Sequence, residues 1–396
     1  MVVPAGWKEL EISELCVPRK LRIDPRVSGG GDICVELEHI AGGSGQLLGV
    51  TNTSGISSLK TKFEPGDVLF GKLRAYLRKY WLAEFAGVCS TEIWALSANR
   101  TQAVPGFLAQ IVRTEDFIEA ASLSYGTHMP RSDWAIVSKL IVSVPPLKEQ
   151  EAIAEALSDI DVVIGSLDAL TVKKRDVKQA TMQQLLTGRA RLPGFTADWK
   201  ELELSRVAEI GPGINKALSE MGTGSLYVTV EDIYSGSSLD VRRLGRIRIS
   251  RSEIERFSLQ VGDLVLGKSS VKRDGIGYPN LFLGCAEPVV PSGFTYRVRP
   301  DKEVLSSMFL LQYLRSRPAR KWIIDNSQSS ALTNINSSII NRYPIIVPPL
   351  KEQEAIAETL SAMDDELDAL AEQTSKLRMM KEGMMQDLLT GKVRLV

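Results

Sequence analysis

Pro145-Pro146-Leu147-Lys148-Glu149-Gln150-Glu151-Ala152-Ile153-Ala154-Glu155 recurs residue for residue as Pro348-Pro349-Leu350-Lys351-Glu352-Gln353-Glu354-Ala355-Ile356-Ala357-Glu358. Leu185–Leu192, LLTGRARL, recurs as LLTGKVRL over Leu388–Leu395 at the same offset, and more than half of the positions in the block are identical. A fixed offset means a duplicated structural unit rather than two chance matches. Upstream the duplication is fainter. Trp7-Lys8-Glu9-Leu10 returns as Trp199-Lys200-Glu201-Leu202, and Gly66-Asp67-Val68-Leu69-Phe70-Gly71-Lys72 as Gly262-Asp263-Leu264-Val265-Leu266-Gly267-Lys268. Phe107-Leu108 with Gln110 matches Phe309-Leu310 with Gln312.

The repeated block reads as a long helix. The proline pair cannot sit inside a helix but can precede its first turn. Ile356, Leu360, Met363, Leu367, Leu370, Thr374, Leu377, Lys381, Met384 and Leu388 step by four and three, the seam of a heptad. The first copy follows with Ile153, Leu157, Ile160, Ile164, Leu167, Thr171, Lys174, Lys178, Thr181 and Leu185. Gly188 and Gly391 stop the two at equivalent places. About 40 residues at 1.5 Å each make a rod of roughly 60 Å. Neither rod can bury its stripe alone, so the expectation is an antiparallel coiled-coil pair. The globules between Gly- and Ser-rich turns carry short β runs at Asp67–Phe70, Gly87–Leu96, Gly245–Ile249 and Asp263–Leu266, with one helix each near Phe107–Ala121 and Met308–Ile324. The fold class is therefore α+β with an internal pseudo-two-fold repeat: a mixed globule over 1–144, a helix over 145–192, a second globule over 193–347 and a second helix over 348–396.

Composition narrows the function. The 396 residues carry 48 basic and 48 acidic side chains, which excludes both a histone-like polycation and an acidic DNA mimic. The second globule has a basic excess, with Arg242, Arg243, Arg246, Arg248 and Arg251 clustered. Cys16, Cys34, Cys89 and Cys285 are too scattered for a disulfide framework or a zinc site, and two histidines make a His-based metal site improbable. No apolar run has transmembrane length and MVVPAGWKEL is not a signal peptide, so a cytoplasmic protein is expected.

Gly262–Ser269 fits the phosphate-loop pattern GxxxxGK[ST]. Its apolar residues fall inside the loop, though, where Leu264-Val265-Leu266 look like a strand. Leu73 also stands where the first half would need the metal-binding hydroxyl. With no methyltransferase, nuclease or nucleophilic-triad motif, the reading is a binding protein and not an enzyme. Two constellations per half suit nucleic acid. After the GDxLxGK strand come Lys72, Arg74, Tyr76, Arg78 and Lys79 in the first half, and Lys268, Ser269, Ser270, Lys272 and Arg273 in the second. Before the proline pair come Thr127, His128 and Arg131, and then Thr333, Asn334 and Asn336. Cations neutralise phosphates, and the polar groups can reach base edges. The repeated segments offer equivalent docking points for a partner: Pro146, Glu149, Gln150 and Leu186, and again Pro349, Glu352, Gln353 and Leu389. A helical docking scaffold that never meets DNA is the competing reading, and a nucleotide enzyme using Gly262–Ser269 is a further one.

PPLKEQEAIAE, the heptad rods and LLTG(R/K)xRL, each present twice, together with GDVLFGKLRAYLRK, GVCSTEIW and GTHMPRSDW, make the chain resemble a specificity subunit of a type I restriction-modification system over essentially its whole length. The resemblance implies two target-recognition domains, each reading half of a split double-stranded DNA target, joined by two antiparallel helices. It implies two methyltransferase (modification) subunits that methylate adenine with S-adenosylmethionine, and restriction/translocase subunits that use ATP and Mg²⁺. No cofactor is expected in this chain. The two globules match each other weakly, which implies an asymmetric target.

Overall fold

The computed structural model describes residues 4–28, 31–123, 130–234, 236–329 and 332–395. The chain is a mixture of helix and sheet, dominated by two long helices, Leu147–Leu185 and Leu350–Leu389. Each starts where the repeated prolines predict. The carbonyl of Pro146 accepts from the amides of Glu149 and Gln150 at 2.9 and 3.0 Å, and that of Pro349 from Glu352 and Gln353 at 2.9 and 3.1 Å. Each ends in a left-handed glycine, Gly188 (φ 69°) and Gly391 (φ 70°). Beyond them Ala190 N–H returns to Gln184 O at 3.2 Å and Val393 N–H to Asp387 O at 3.1 Å, which satisfies carbonyls left open by the last turn.

The chain forms two compact units: residues 1–168 with 372–396, and residues 169–371. The division cuts both long helices, so each unit holds one globule, the start of the helix that follows it and the end of the other helix. In the first unit the core joins Ile12, Phe107, Phe117, Ile153 and Leu157 to Leu388 and Leu389. In the second, Leu204, Phe309, Ile356 and Leu360 meet Leu185 and Leu186. Within each unit the two helical segments run antiparallel. Asp161 pairs with Lys381 and Asp168 with Arg378 in the first; Lys174 pairs with Glu366 and Lys178 with Asp364 in the second.

Two sheets are common to both units. Lys8–Glu11 pairs antiparallel with Ile141–Val144, and Lys200–Glu203 with Pro344–Val347, so the repeated KELE strand braces the residues leading into each proline pair. A four-stranded sheet follows in each. In the first unit its order is Cys16–Pro18, Ile93–Ala98, Val68–Gly71, Tyr80–Leu82. In the second it is Ala208–Pro212, Thr295–Pro300, Leu264–Gly267, Pro279–Leu281. The GDxLxGK segment is an inner strand of both, buried throughout. The repeated Gly-Asp is the turn before it. Gly66 and Gly262 have φ of 86° and 96°. Asp67 accepts the Glu64 amide at 2.8 Å and Asp263 the Gln260 amide at 2.7 Å, and each aspartate binds an arginine, Arg19 or Arg299.

Sequence and structure differ inside the globules. Gly87–Leu96 is two strands, Gly87–Ser90 and Ile93–Ala98, in different sheets. Each expected helix is two: Pro105–Ile111 and Glu115–Ser122, then Ser307–Arg315 and Arg317–Asp325. The breaks fall at Thr114 and Ser316, whose side chains cap the second helix of each pair, and Pro318 adds a first-turn proline in the second unit.

Candidate nucleic-acid interface

In each unit the two polar constellations, far apart in sequence, form one antiparallel ladder. Lys72 directly follows its strand, and its carbonyl accepts from Ser132 N–H at 2.8 Å; Leu73 bridges Arg131, and Arg74 N–H reaches Pro130 O at 2.9 Å. Lys268 occupies the same place. Its carbonyl accepts from Ile335 N–H at 3.1 Å, and Ser269 and Ser270 pair with Asn334 and Thr333. Divergent loops are thus held by one backbone device at the end of one repeated strand.

The side chains divide into free and engaged groups. In the first unit Arg74 has no ion pair among the described residues, and Tyr76 is exposed. Arg78 instead binds Glu115, Lys79 donates to Leu37 O at 2.6 Å, and Arg131 binds Glu92 at 2.8 Å. Glu92 also raises the affinity of the Arg131 guanidinium for its proton. Lys72 is half-buried. Thr127 and His128 lie outside the described residues. In the second unit Lys272 and Arg273 are exposed, with no ion pair among the described residues, and Asn334 is exposed. Ser269 and Ser270 are half-buried in their strand, and the Lys268 ammonium sits 5.7 Å from the Tyr296 ring centre.

One expectation on this surface is corrected, and one exposed side chain is engaged in a helix cap. Thr333 is buried and so cannot meet a base edge. Asn336 caps the helix Ser337–Asn341, accepting from Ile339 N–H at 3.0 Å. The basic cluster of the second globule is largely engaged as well: Arg242 and Arg243 bind Asp240, Arg246 binds Glu287 and Arg251 binds Glu255. Three residues that the sequence reading passed over shape the second loop. Arg315 and Arg320 stack over Tyr278 at 5.4 and 5.5 Å, and Arg320 donates to Asp274 O at 2.8 Å. Burial lowers the Arg320 pKa, yet its donors hold the loop carbonyls. No repeated motif marks them, which is why they were missed.

The docking expectation for the repeated block is corrected more thoroughly. Glu149, Gln150, Glu352 and Gln353 are fully buried, and Leu186 and Leu389 lie in the cores. Glu149 accepts from Trp7 Nε1 at 3.1 Å and from Arg394 Nη2 at 2.7 Å. Glu352 accepts from Trp199 Nε1 at 3.0 Å and from Arg191 Nη2 at 2.7 Å. Gln150 accepts from Val104 N–H and donates to Gln102 O and Pro145 O; Gln353 does the same with Ser306, Val304 and Pro348. WKEL, PPLKEQE and LLTGxxRL are therefore repeated because they bind one another. Arg191 and Arg394 were legible as the one arginine common to LLTGRARL and LLTGKVRL. Of the eight side chains, only Pro146 and Pro349 remain exposed.

Gly262–Ser269 is a turn and a buried inner strand followed by a short edge strand, with no helix N-terminus to receive a phosphate. Among the described residues no group of three or more His, Cys, Asp or Glu could hold a metal ion, and no helix is long and apolar enough to cross a membrane.

A doubled frame thus displays two unlike polar loops, one in each unit. The family described as the type I restriction modification DNA specificity domain matches residues 4–170 and 196–377. The chain belongs to this family. The specificity subunit of the type I restriction enzyme MjaVIII from Methanocaldococcus jannaschii is 24% identical over 71% of this chain and 68% of its own length. That of EcoKI from Escherichia coli is 22% identical over 73% of this chain and 65% of its own length. The fold is shared with the type I restriction-modification S subunit from M. genitalium, at a TM-score of 0.60 and 14% identity over 97% of this chain and 96% of that one. A chain from a type I system solved for its complex assembly and conformational transition gives 0.58 at 20% identity, over 99% of this chain and 100% of that one.

Proposed function

We propose that this chain is the specificity subunit of a type I restriction-modification complex and reads a bipartite, asymmetric DNA target. Each unit contributes one reading head, the ladder at Lys72–Arg74 or at Lys268–Ser270. The two long helices, paired antiparallel, carry the partner subunits. The observation that carries the reading is this duplicated ladder in a chain of the DNA-specificity family: one backbone device, two unlike sets of side chains. Two equivalent units give one head for each half-site of a split duplex target. Arg74, Lys272 and Arg273 are exposed cations without an ion pair among the described residues and can meet phosphate or guanine, whereas Arg78, Lys79 and Arg131 first have to leave their intramolecular partners.

The chemistry belongs to partner subunits: two modification subunits transferring a methyl group from S-adenosylmethionine to adenine, and restriction subunits using ATP and Mg²⁺. With Glu149, Gln150, Glu352 and Gln353 buried, those partners meet the exposed faces of the helices near Pro146 and Pro349. The test is a map of methylated adenines in the host genome with and without this chain. A split motif that vanishes when the chain is deleted is expected. An unchanged map ends the proposal.

A further inference from the structure

We propose that the apolar tips of the two equivalent loops, Tyr76 with Leu77 in the first unit and Val271 in the second, are wedges that press into a base step of each half-site and open it. This rests on the DNA-specificity reading.

The first observation is exposure. Tyr76, Leu77 and Val271 are 56, 43 and 86% exposed, although a fully buried inner strand ends only a few residues before each loop. Neighbouring residues of the same loops turn inward normally: Ala75 and Ile276 are buried. Apolar groups held in water at the very place where cations gather gain nothing from the fold. Arg74 and Arg78 flank the first tip; Lys272 and Arg273 follow the second. Cations bring the loop onto the phosphates, and an apolar side chain between them then faces the stacked bases. Apolar wedges that partly unstack a step and kink the duplex are a known solution in DNA-binding proteins, and an aromatic ring can replace the lost stacking.

The second observation is stiffness, which a wedge needs because a loose tip would fold back. Arg74 and Arg78 have φ of 56° and 51°, and they are the described non-glycine residues with positive φ. The left-handed conformation is unfavourable for a residue with a Cβ, and it persists where its surroundings fix it. They do so here. Arg74 N–H is held by Pro130 O at 2.9 Å, Arg78 O by Gly43 N–H at 2.8 Å, and the turn between closes through Leu77 N–H to Arg74 O and Arg78 N–H to Ala75 O at 2.9 and 2.8 Å. Glu115 and Leu37 O hold the Arg78 and Lys79 side chains from outside. The second loop reaches the same end by other means. Arg320 grips Asp274 O and Ile276 O, Tyr234 donates to Gly275 O at 2.9 Å, and Gly275 N–H returns to Lys272 O at 3.0 Å. Two unrelated sequences, each braced around an exposed apolar tip in the loop that follows the same repeated strand, point to a shared task.

The experiment uses the full chain assembled with the modification subunits of its own system and the duplex target found by methylation mapping. 2-Aminopurine is placed in turn at each purine of both half-sites except the methylated adenine, which leaves the stack for the methyl transfer itself. One position in each half should brighten several-fold on binding. Tyr76→Ala with Leu77→Ala should abolish the first signal and spare the second; Val271→Gly should do the reverse, and Tyr76→Phe should keep both. Each alanine or glycine variant should also lose several-fold in affinity for the perfect duplex and regain it on a duplex mismatched at the brightened step, a rescue that a folding defect cannot produce. Brightening that survives both substitutions, or that is absent at every position while the wild-type complex binds its target, overturns the wedge and leaves the specificity reading intact. A wild-type complex that shows no preference for the mapped target overturns both.

Discussion

Gln150 and Gln353 show how much of the architecture rests on single side chains. Each accepts one backbone amide and donates to two backbone carbonyls from a fully buried position, pinning the start of a long helix to the globule before it. Gln353→Leu keeps the volume but leaves Ser306 N–H and two carbonyls unpaired, so the second unit should lose about 2–4 kcal/mol. Gln150→Leu should do the same to the first unit. Thermal unfolding read by tryptophan fluorescence checks it, and a shift within error for both variants would show that the bonds are dispensable. The sequence announced that these residues matter, because KEQE is repeated without change, but it could not say to whom. Identity between copies is equally consistent with an external partner and with a partner elsewhere in the same chain. Only the placement of Trp7 and Arg394 on Glu149, and of Trp199 and Arg191 on Glu352, decides for the second.

The long helices were legible because their signals are local: a proline pair, a step of four and three, and a terminal glycine. Lys174, Lys178 and Lys381 were read at their seam positions, but the carboxylates that meet them there were not. Lys178 and Asp364 are mostly buried and paired, and Gln312 donates to the same carboxylate at 2.8 Å. In the first unit Asp161 binds Lys381 and Arg113, and burial still raises its pKa above the ordinary carboxylate value. Such a pair contributes less than its geometry suggests, since both charges were taken from water. Lys178→Leu alone should destabilise the second unit by about 1–3 kcal/mol, because a largely buried carboxylate is left with one neutral donor. Adding Asp364→Leu should recover most of that loss. A double variant less stable than the single would mean the pair is worth more than its desolvation. The globules were read less well than the rods. Their helices break at Thr114 and Ser316, and a lone hydroxyl residue inside an apolar run is a cap only where the chain turns.

At the scale of the whole molecule the repeat predicts modularity with a condition attached. Exchanging residues 1–144 for the equivalent globule of another family member should change one half of the methylated motif and leave the other half untouched, as methylation mapping would read. The condition is that the donor carries counterparts of Gln110 and Arg113, since Arg113 spans the junction to reach Asp161 at 2.7 Å and is itself held by Gln110 at 2.8 Å. A donor without them should give an unstable chain, not a new specificity. Both halves of the motif changing together would show that the heads do not read independently.

The splitting of both long helices between the units has a consequence for biosynthesis. The second unit, 169–371, is one continuous stretch, whereas the first needs 372–396 to cover its core with Leu388 and Leu389 and to bring Arg394 to Glu149. The globule translated first is therefore completed last. Roughly 200 residues separate its two parts, and at ~5–20 residues per second this leaves it unfinished on the ribosome for about 10–40 s. A chain stopped after Ala371 should keep a protease-resistant 169–371 fragment while the segment before it is cut, and supplying a peptide of 372–396 should restore its protection. During that interval the apolar surface that Leu388 and Leu389 will cover stays open on the nascent first globule, which should make its folding yield sensitive to chaperones.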